Sequence, residues 1–205
     1  SDNGTSPQTC GREQLAKAGH NPSGKLRGMK SDFWDGGHRV PFIVKWPGKV
    51  KPGSTTDQLA CLTDWYATFA DLLGCSYPES EGVDSISLLS TLLGKDNEAA
   101  RQDVIHHSIS GMFAIRQGHW KLLCGPGSGG WGSPKDREAL KQALPAVQLY
   151  HMKKDLGEQH NMHAEFPSKV EELRSLLETQ IAEGRSTPGS RQANDVNQVV
   201  IDKIK

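Results

Sequence analysis

The sequence predicts an α/β fold that ends in a smaller α+β subdomain, made of an antiparallel sheet and one helix. A short apolar run at residues 40–46, closed by a Pro-Gly pair, has the pattern of a buried strand. Short apolar segments at residues 104–109, 112–116 and 120–123 are separated by glycine turns, as in an antiparallel sheet. Residues 167–184 then have the apolar periodicity of a helix that can cover such a sheet.

Two further helices are predicted in the first half of the chain. Thr63 is the expected N-cap of a helix that runs to residue 73 and ends at Gly74. A second helix is expected over residues 86–93, where Gly94 stops it. Two weaker signals are a helix near residues 12–18 and a fourth strand at residues 147–150.

The composition excludes several classes of partner. Lysine plus arginine and aspartate plus glutamate number 24 each, so no overall field favours nucleic acid or an anionic membrane. No apolar run is long enough to span a bilayer, and no signal peptide opens the chain. The four cysteines contain no C-x-x-C pair, which argues against a zinc ribbon, and free thiols are favoured over disulfides.

The chain opens with Ser1-Asp2-Asn3-Gly4, a tetrapeptide with three competing interpretations. Asp2 and Asn3 supply hard oxygen ligands for a divalent cation, and Gly4 lets the backbone turn sharply. An Asx turn explains the same residues and is the commoner reason for them. Asn3-Gly4-Thr5 also fits the acceptor pattern for N-glycosylation, which a buried metal ligand could not carry.

Cations, aromatic residues and paired glycines gather at residues 26–41, directly before the predicted buried strand. Loops at strand ends commonly line sites in α/β folds, whereas a solvated surface loop is the alternative. His106 and His107 would face opposite sides of a strand, and His107 is a candidate for the substrate pocket. Trp131, in the glycine-rich loop at residues 125–132, could stack on a sugar ring or anchor the loop to the core.

Five motifs in order resemble those of the type I sulfatase family. They are S-D-N-G at residues 1–4, L-R-G-x-K at 26–30, W-D-G-G-x-R-x-P at 34–41 with W-P-G at 46–48, A-I-R-x-G-x-W-K-L at 114–122, and an L-Y…D…E…N-M segment at 149–162. In the last motif His151, Leu156 and Met162 depart from the usual Asp, Pro and Leu of the family. The resemblance covers nearly the whole chain, to about Gly189.

The resemblance implies roles for three residues. Asp2 and Asn3 match two metal ligands of the family, usually for calcium, and Lys30 matches the lysine that contacts the substrate sulfate. The nucleophile of the family is a formylglycine made from Cys or Ser in C/S-x-P-x-R, a pattern that occurs nowhere in these 205 residues. The chain is therefore expected to be a C-terminal fragment that supplies only part of an active site and is inactive by itself.

The resemblance also implies a domain organisation and a reaction. Residues 1–100 would end a large, alkaline-phosphatase-like α/β domain, residues 101–184 would form the sheet-and-helix subdomain, and residues 185–205 a polar tail. The full-length enzyme would hydrolyse sulfate esters of carbohydrates or aryl alcohols, in the periplasm or outside the cell. Two alternatives stay open: a phosphate mono- or diester hydrolase of the same superfamily, and a truncated module that binds carbohydrate without catalysis. No oligomeric state is predicted.

Overall fold

The computed structural model describes residues 1–8, 11–95 and 100–204, which divide into two compact units. The sheet unit consists of Ser1–Pro41, Ile105–Ser175 and Val200–Lys205. The helix unit consists of Phe42–Val104 and Leu176–Val199. The division into larger domains expected from the family resemblance stays a prediction.

A four-stranded sheet confirms the predicted antiparallel architecture. Its strands are β1 (Asp103–His107), β2 (Phe113–Gln117), β3 (Trp120–Leu123) and β4 (Gln148–His151), in the order β1-β2-β3-β4. Strands β2 and β3 pair antiparallel, as do β3 and β4, so that Leu122 faces Ile115 on one side and Leu149 on the other. Gly111 and Gly118 have positive φ in the turns on either side of β2, where the sequence places them.

The core of the sheet unit contains two aromatic residues from the candidate loop at residues 26–41. Phe33 and Trp34 are fully buried, and the indole N–H of Trp34 donates to Oε1 of Gln148 at 2.9 Å. This pairing fixes the loop to strand β4. The cluster comprises Phe33, Trp34, Met112, Ala114, Leu123, Tyr150 and Met152.

The helices partly follow the sequence prediction. Helix α6 (Pro167–Glu183) begins at the predicted proline and ends at Gly184, with Leu173 and Leu177 fully buried. Helix α1 (Arg12–Lys17) confirms the weak signal near residues 12–18. Helices α2 (Asp35–His38) and α5 (Asp136–Lys141) were not predicted from the sequence. No described helix is both long and apolar enough to cross a membrane.

In the helix unit, Asp64 takes the capping role that the sequence assigns to Thr63. A 3₁₀ turn (Leu62–Asp64) leads into α3 (Trp65–Leu73), which ends at Gly74 as predicted, and α4 is the short segment Leu89–Leu92. The Asp64 carboxylate accepts the N–H groups of Cys61 at 2.7 Å and Ile86 at 3.0 Å, and it pairs with Arg101. This carboxylate therefore joins the start of the 3₁₀ turn to Ile86 and Arg101, whereas the Thr63 hydroxyl donates to the Asp84 carbonyl.

The prediction of a buried strand at residues 40–46 is wrong for this structure. Phe42 is half-exposed, and Ile43 is 89% exposed. Among the described residues, no backbone hydrogen bond is made by residues 40–45. A strand needs a neighbour to pair its backbone, and the described part of the chain supplies none beside this segment.

No disulfide joins the described cysteines, in agreement with the composition. Cys61 and Cys75 are accessible to solvent to different degrees, and Cys124 is buried. Cys10 lies outside the described residues.

Candidate active site

Three separate segments of the sheet unit meet through backbone hydrogen bonds. The Gly4 N–H donates to the Gly37 carbonyl at 2.9 Å, and the Lys30 N–H donates to the Thr5 carbonyl at 3.0 Å. The Gly36 N–H donates to the Arg27 carbonyl at 2.7 Å. The opening tetrapeptide, the Lys30 loop and α2 are therefore direct neighbours, although up to 33 residues separate them in the chain.

Glycine is required where these backbones cross. A Cβ atom on Gly4 would lie 1.8 Å from the Gly36 carbonyl oxygen. A Cβ on Gly36 would lie 2.4 Å from the Arg27 oxygen, and one on Gly37 would lie 2.1 Å from the Asp32 oxygen. These distances are far inside van der Waals contact and the obstacles are backbone atoms, so any larger side chain would force the segments apart. The paired glycines thus set the spacing of the site.

Asp2 and Asn3 lie at the tip of this arrangement. Asp2 is exposed and Asn3 is half-buried, and the Ser1 hydroxyl donates to the Asn3 carbonyl at 2.9 Å. Within residues 1–8, 11–95 and 100–204, no group hydrogen-bonds the side chains of Asp2 and Asn3, so their oxygens are free to bind a cation. No group of three or more potential ligands is found in this described part, so these two residues would be a minority of the six to eight oxygens that calcium takes.

Lys30 is followed by a residue in a strained conformation. Ser31 has φ of 86°, in the left-handed region that non-glycine residues rarely adopt. Its carbonyl accepts the Ile109 N–H at 2.9 Å, and its hydroxyl accepts the Trp131 N–H at 2.9 Å. Strain of this kind persists only where the surroundings fix it, and it is concentrated at functional sites. Both contacts hold the backbone that aims Lys30.

The Lys30 loop is tied to the glycine-rich loop by Asp32. Its buried carboxylate accepts the Met29 N–H at 3.0 Å and the Gly132 N–H at 2.8 Å. Burial raises the pKa of Asp32, although these backbone N–H groups act in the opposite direction. One carboxylate therefore fixes the turn around Lys30 and joins it to a second loop.

A buried ion cluster joins α2 to the sheet. The Lys121 ammonium, on β3, is completely buried and lies 2.7 Å from Oδ1 of Asp35 and 2.8 Å from Oε1 of Glu158. The other oxygen of Glu158 accepts the Asp35 N–H at 2.7 Å. Burial opposes ionisation of Asp35, but Lys121 and His38 outweigh it and hold the pKa of Asp35 well below its usual value. Burial removes Glu158 from water and raises its pKa, and the Asp35 charge acts in the same direction, although Lys121 opposes both.

Known proteins that resemble this chain in sequence and fold are sulfatases. The family described as N-sulphoglucosamine sulphohydrolase, C-terminal, matches residues 30–124. An N-acetylgalactosamine-6-O-sulfatase of Bacteroides thetaiotaomicron is 34% identical over 168 residues, which are 78% of this chain and 31% of that protein. The chain belongs to the sulfatase family.

Two further comparisons agree with this family. An ulvan-active sulfatase of Formosa agariphila is 31% identical over 72% of this chain and 32% of its own length. A solved Bacteroides thetaiotaomicron structure, from work on the metabolism of multiple glycosaminoglycans, is 33% identical and superposes with a TM-score of 0.68. That match covers 82% of this chain and 34% of the other. The sulfatase chain thus spans about a third of the length of the relatives it matches.

The buried cluster in the sulfatase chain was missed by sequence reasoning. Asp35, Lys121 and Glu158 each lie in one of the recognised motifs, so a signal was present. They are 37 to 123 residues apart, and nothing in their local patterns shows that they meet. Within its motif Lys121 resembles any strand lysine, and only its complete burial shows that it needs a carboxylate partner.

The two candidate histidines of the sulfatase chain have different surroundings. His107 is exposed, and its ring packs on Phe113, with ring centroids 4.3 Å apart. The His106 ring packs on that of His38, with ring centroids 3.9 Å apart and the planes tilted by 32°. His107 is two residues before Ile109, which hydrogen-bonds to Ser31, so the end of β1 approaches the Lys30 loop. A substrate contact by His107 stays a prediction.

Acid is expected to destabilise the protein through His38 and His106. Nδ1 of His38 and Nε2 of His106 are buried without a hydrogen-bond partner among the described residues. Burial and the Lys121 charge lower the pKa of His38, although Asp35 opposes them. Burial, together with His38 and Lys121, also lowers the pKa of His106. In the unfolded chain both histidines regain the ordinary pKa near 6.5, so the full stability is present above that pH. Stability is lost as the pH falls from there towards the lower pKa values of the folded state, by about 1.4 kcal/mol for each unit of pKa difference.

Denaturant unfolding at about pH 7.5 and about pH 5.5 tests this expectation. The double variant His38→Gln/His106→Gln should lose less stability between the two pH values than the parent protein. The His20→Gln variant, changed at an exposed position, should lose as much stability as the parent protein. An equal loss in the double variant and in the parent would show that these two histidines do not cause the acid sensitivity.

Proposed function

We propose that the full-length protein is a sulfatase that hydrolyses sulfate esters of carbohydrates, and that this chain contributes Lys30, Asp2 and Asn3 to its active site. One observation supports this proposal above the others. The opening tetrapeptide and the Lys30 loop, which match two separate sulfatase motifs, are hydrogen-bonded neighbours through the Lys30–Thr5 and Gly4–Gly37 contacts. This proximity would let both motifs act on one substrate group.

Lys30 is the proposed contact to the sulfate. In the described part of the chain, no carboxylate or carbonyl binds its ammonium, the residue is half-buried, and its backbone N–H bonds to Thr5, next to the opening tetrapeptide. A lysine held in this way can donate to a sulfate oxygen and to the ester oxygen that gains negative charge as the S–O bond breaks. Rigid support of the neighbouring backbone by Ser31 keeps this cation in place before substrate arrives.

Asp2 and Asn3 would hold a calcium ion together with oxygens from outside this chain. Their free carboxylate and amide oxygens are the hard ligands that calcium prefers, and the exposed tip leaves room for further ligands. A bound calcium supplies polarisation of the sulfate oxygens. A formylglycine supplies the nucleophile in this family. His107, at the end of β1, would contact the rest of the substrate.

The relatives favour a carbohydrate as the alcohol part of the ester. They include an N-acetylgalactosamine-6-O-sulfatase and an ulvan-active sulfatase, and the matching family is named for N-sulphoglucosamine. Polysaccharide sulfates are large and do not cross membranes, so we place the protein in the periplasm or outside the cell. An aryl sulfate would serve as a smaller substrate for the same site.

Hydrolysis by the purified full-length protein, with its formylglycine content verified, tests this function. N-acetylgalactosamine-6-sulfate and 4-nitrophenyl sulfate should be cleaved, and the rate should fall when calcium is removed by a chelator. The 205-residue chain alone should be inactive. Faster cleavage of 4-nitrophenyl phosphate than of both sulfates would assign the protein to the phosphoesterases, and cleavage of neither ester would favour a non-catalytic module.

A further inference from the structure

The glycine-rich loop at residues 125–132 is anchored without the help of its tryptophan. The Gln148 amide donates to the Gly125 carbonyl at 2.7 Å and to the Gly127 carbonyl at 2.8 Å. Oδ1 of Asp136 accepts the N–H groups of Gly127 and Gly129 at 3.2 and 3.3 Å. The backbone of this loop is therefore already fixed by β4 and α5, so the indole of Trp131 is not needed to anchor it.

Trp131 instead projects from a buried loop. Residues 121–129 are buried, whereas Trp131 is 37% exposed. Among the described residues, its indole N–H has no hydrogen-bond partner and its ring stacks on no other aromatic ring. An exposed indole on a rigid support loses hydrophobic stabilisation in water and gains it when a ligand covers the ring.

The backbone of Trp131 is fixed beside Lys30. Its N–H donates to the hydroxyl of Ser31, the residue that follows Lys30. The glycines on either side cannot be replaced, because a Cβ on Gly130 would lie 2.5 Å from the Ser31 oxygen and one on Gly132 would lie 2.3 Å from Oδ2 of Asp32. The indole thus emerges at a set position next to the proposed sulfate contact.

A cation beside an exposed aromatic ring matches the chemistry of a sulfated sugar. Lys30 would bind the sulfate, and the C–H face of a pyranose ring would cover the indole, whose flat face packs against apolar surfaces. The side chain of Ile109, which is 62% exposed and whose N–H also binds Ser31, adds apolar surface next to the same residue. A free phosphate or sulfate ion would use the cation and leave the indole uncovered.

We infer that Trp131 is a stacking platform for a sugar ring of the substrate, next to the lysine that binds its sulfate. The inference rests on the proposed function for the role of Lys30. It assigns to Trp131 the recognition of the carbohydrate, whereas Lys30 recognises the anion.

Kinetics on the full-length protein test the inference. Trp131→Ala should raise KM for N-acetylgalactosamine-6-sulfate about tenfold, the effect of one lost aromatic contact, and leave kcat nearly unchanged. Inhibition by inorganic sulfate should be unaffected, because that ion does not reach the indole. Trp131→Phe should restore most of the affinity, and Trp131→Leu should not, since a flat aromatic face is the feature required.

The controls separate this inference from a structural role and from the proposed function. Phe166→Ala removes an equally exposed aromatic ring of the same unit, which packs on Trp120, and should leave KM unchanged. If Trp131→Ala weakened inorganic sulfate inhibition as much as sugar-sulfate binding, Trp131 would only support the Lys30 loop, and the inference would fail. Calorimetric titration with the desulfated oligosaccharide measures binding independently of turnover. Loss of this binding in Trp131→Ala would support the stacking role of Trp131 even if no sulfate ester were hydrolysed. Unchanged binding would refute that role.

Discussion

Replacing Lys30 with alanine in the full-length protein is expected to lower kcat/KM for sulfate esters about a hundredfold or more. This is the loss measured when one preorganised electrostatic donor is removed from a transition state. The fold should change little, because Lys30 lies on a loop, is only half-buried and has no described partner. Steady-state kinetics, together with thermal unfolding, separate the two effects.

Lys25 provides the matched control for Lys30. It is exposed, lies five residues earlier on the same loop and falls outside the L-R-G-x-K motif. Lys25→Ala should therefore have nearly the kinetics of the parent. A Lys30 variant with unchanged kinetics, or a Lys25 variant with the larger loss, would place the sulfate contact on another residue.

Replacing Lys121 with methionine is expected to have the largest effect on stability, a loss of about 3–5 kcal/mol in the free energy of unfolding. The substitution keeps the length of the side chain but removes the one ammonium that lies between Asp35 and Glu158. Two buried carboxylates would then face each other, with Arg39 at 3.4 Å and Arg116 at 4.0 Å from Asp35 as the remaining cations beside them among the described residues. Removing one partner of a buried ion pair lowers the free energy of unfolding by more than the intact pair contributes to it, because the remaining charge stays desolvated. Denaturant unfolding of the full-length protein measures the loss.

A second substitution tests whether charge causes this effect. Adding Glu158→Gln to the Lys121→Met variant removes one of the two stranded charges and retains an oxygen that can accept the Asp35 N–H. Part of the lost stability should return. The exposed Lys153→Met should leave the free energy of unfolding within about 0.5 kcal/mol of the parent. If Lys121→Met were as stable as Lys153→Met, the ion cluster would contribute nothing to the fold.

The sequence predicted those elements whose structure depends on local patterns. The four strands and helix α6 were found because apolar periodicity, turn glycines and an initial proline are all local signals. Residues 40–46 have the same kind of signal, yet they form no strand. An apolar run shows that a segment needs a partner, and whether that partner is present is a property of the rest of the structure.

The candidate site was predicted only as far as its motifs could be aligned. Asp2, Asn3 and Lys30 came from the family resemblance, and the structure adds the backbone contacts through which their segments meet. The strained φ of Ser31 could not be foreseen, because serine has no preference for the left-handed region. The role of Trp131 stayed open in the sequence, since exposure of the indole decides between a loop anchor and a ligand contact.

The most direct test is a crystal structure of the full-length protein with calcium and a bound sulfated sugar. We expect the Asp2 carboxylate and the Asn3 amide oxygen to ligate calcium at about 2.3–2.6 Å. We also expect the Lys30 ammonium to lie about 2.7–3.2 Å from a sulfate oxygen. A sulfate held elsewhere, with Lys30 directed into solvent and the metal bound without Asp2 and Asn3, would contradict the proposed site.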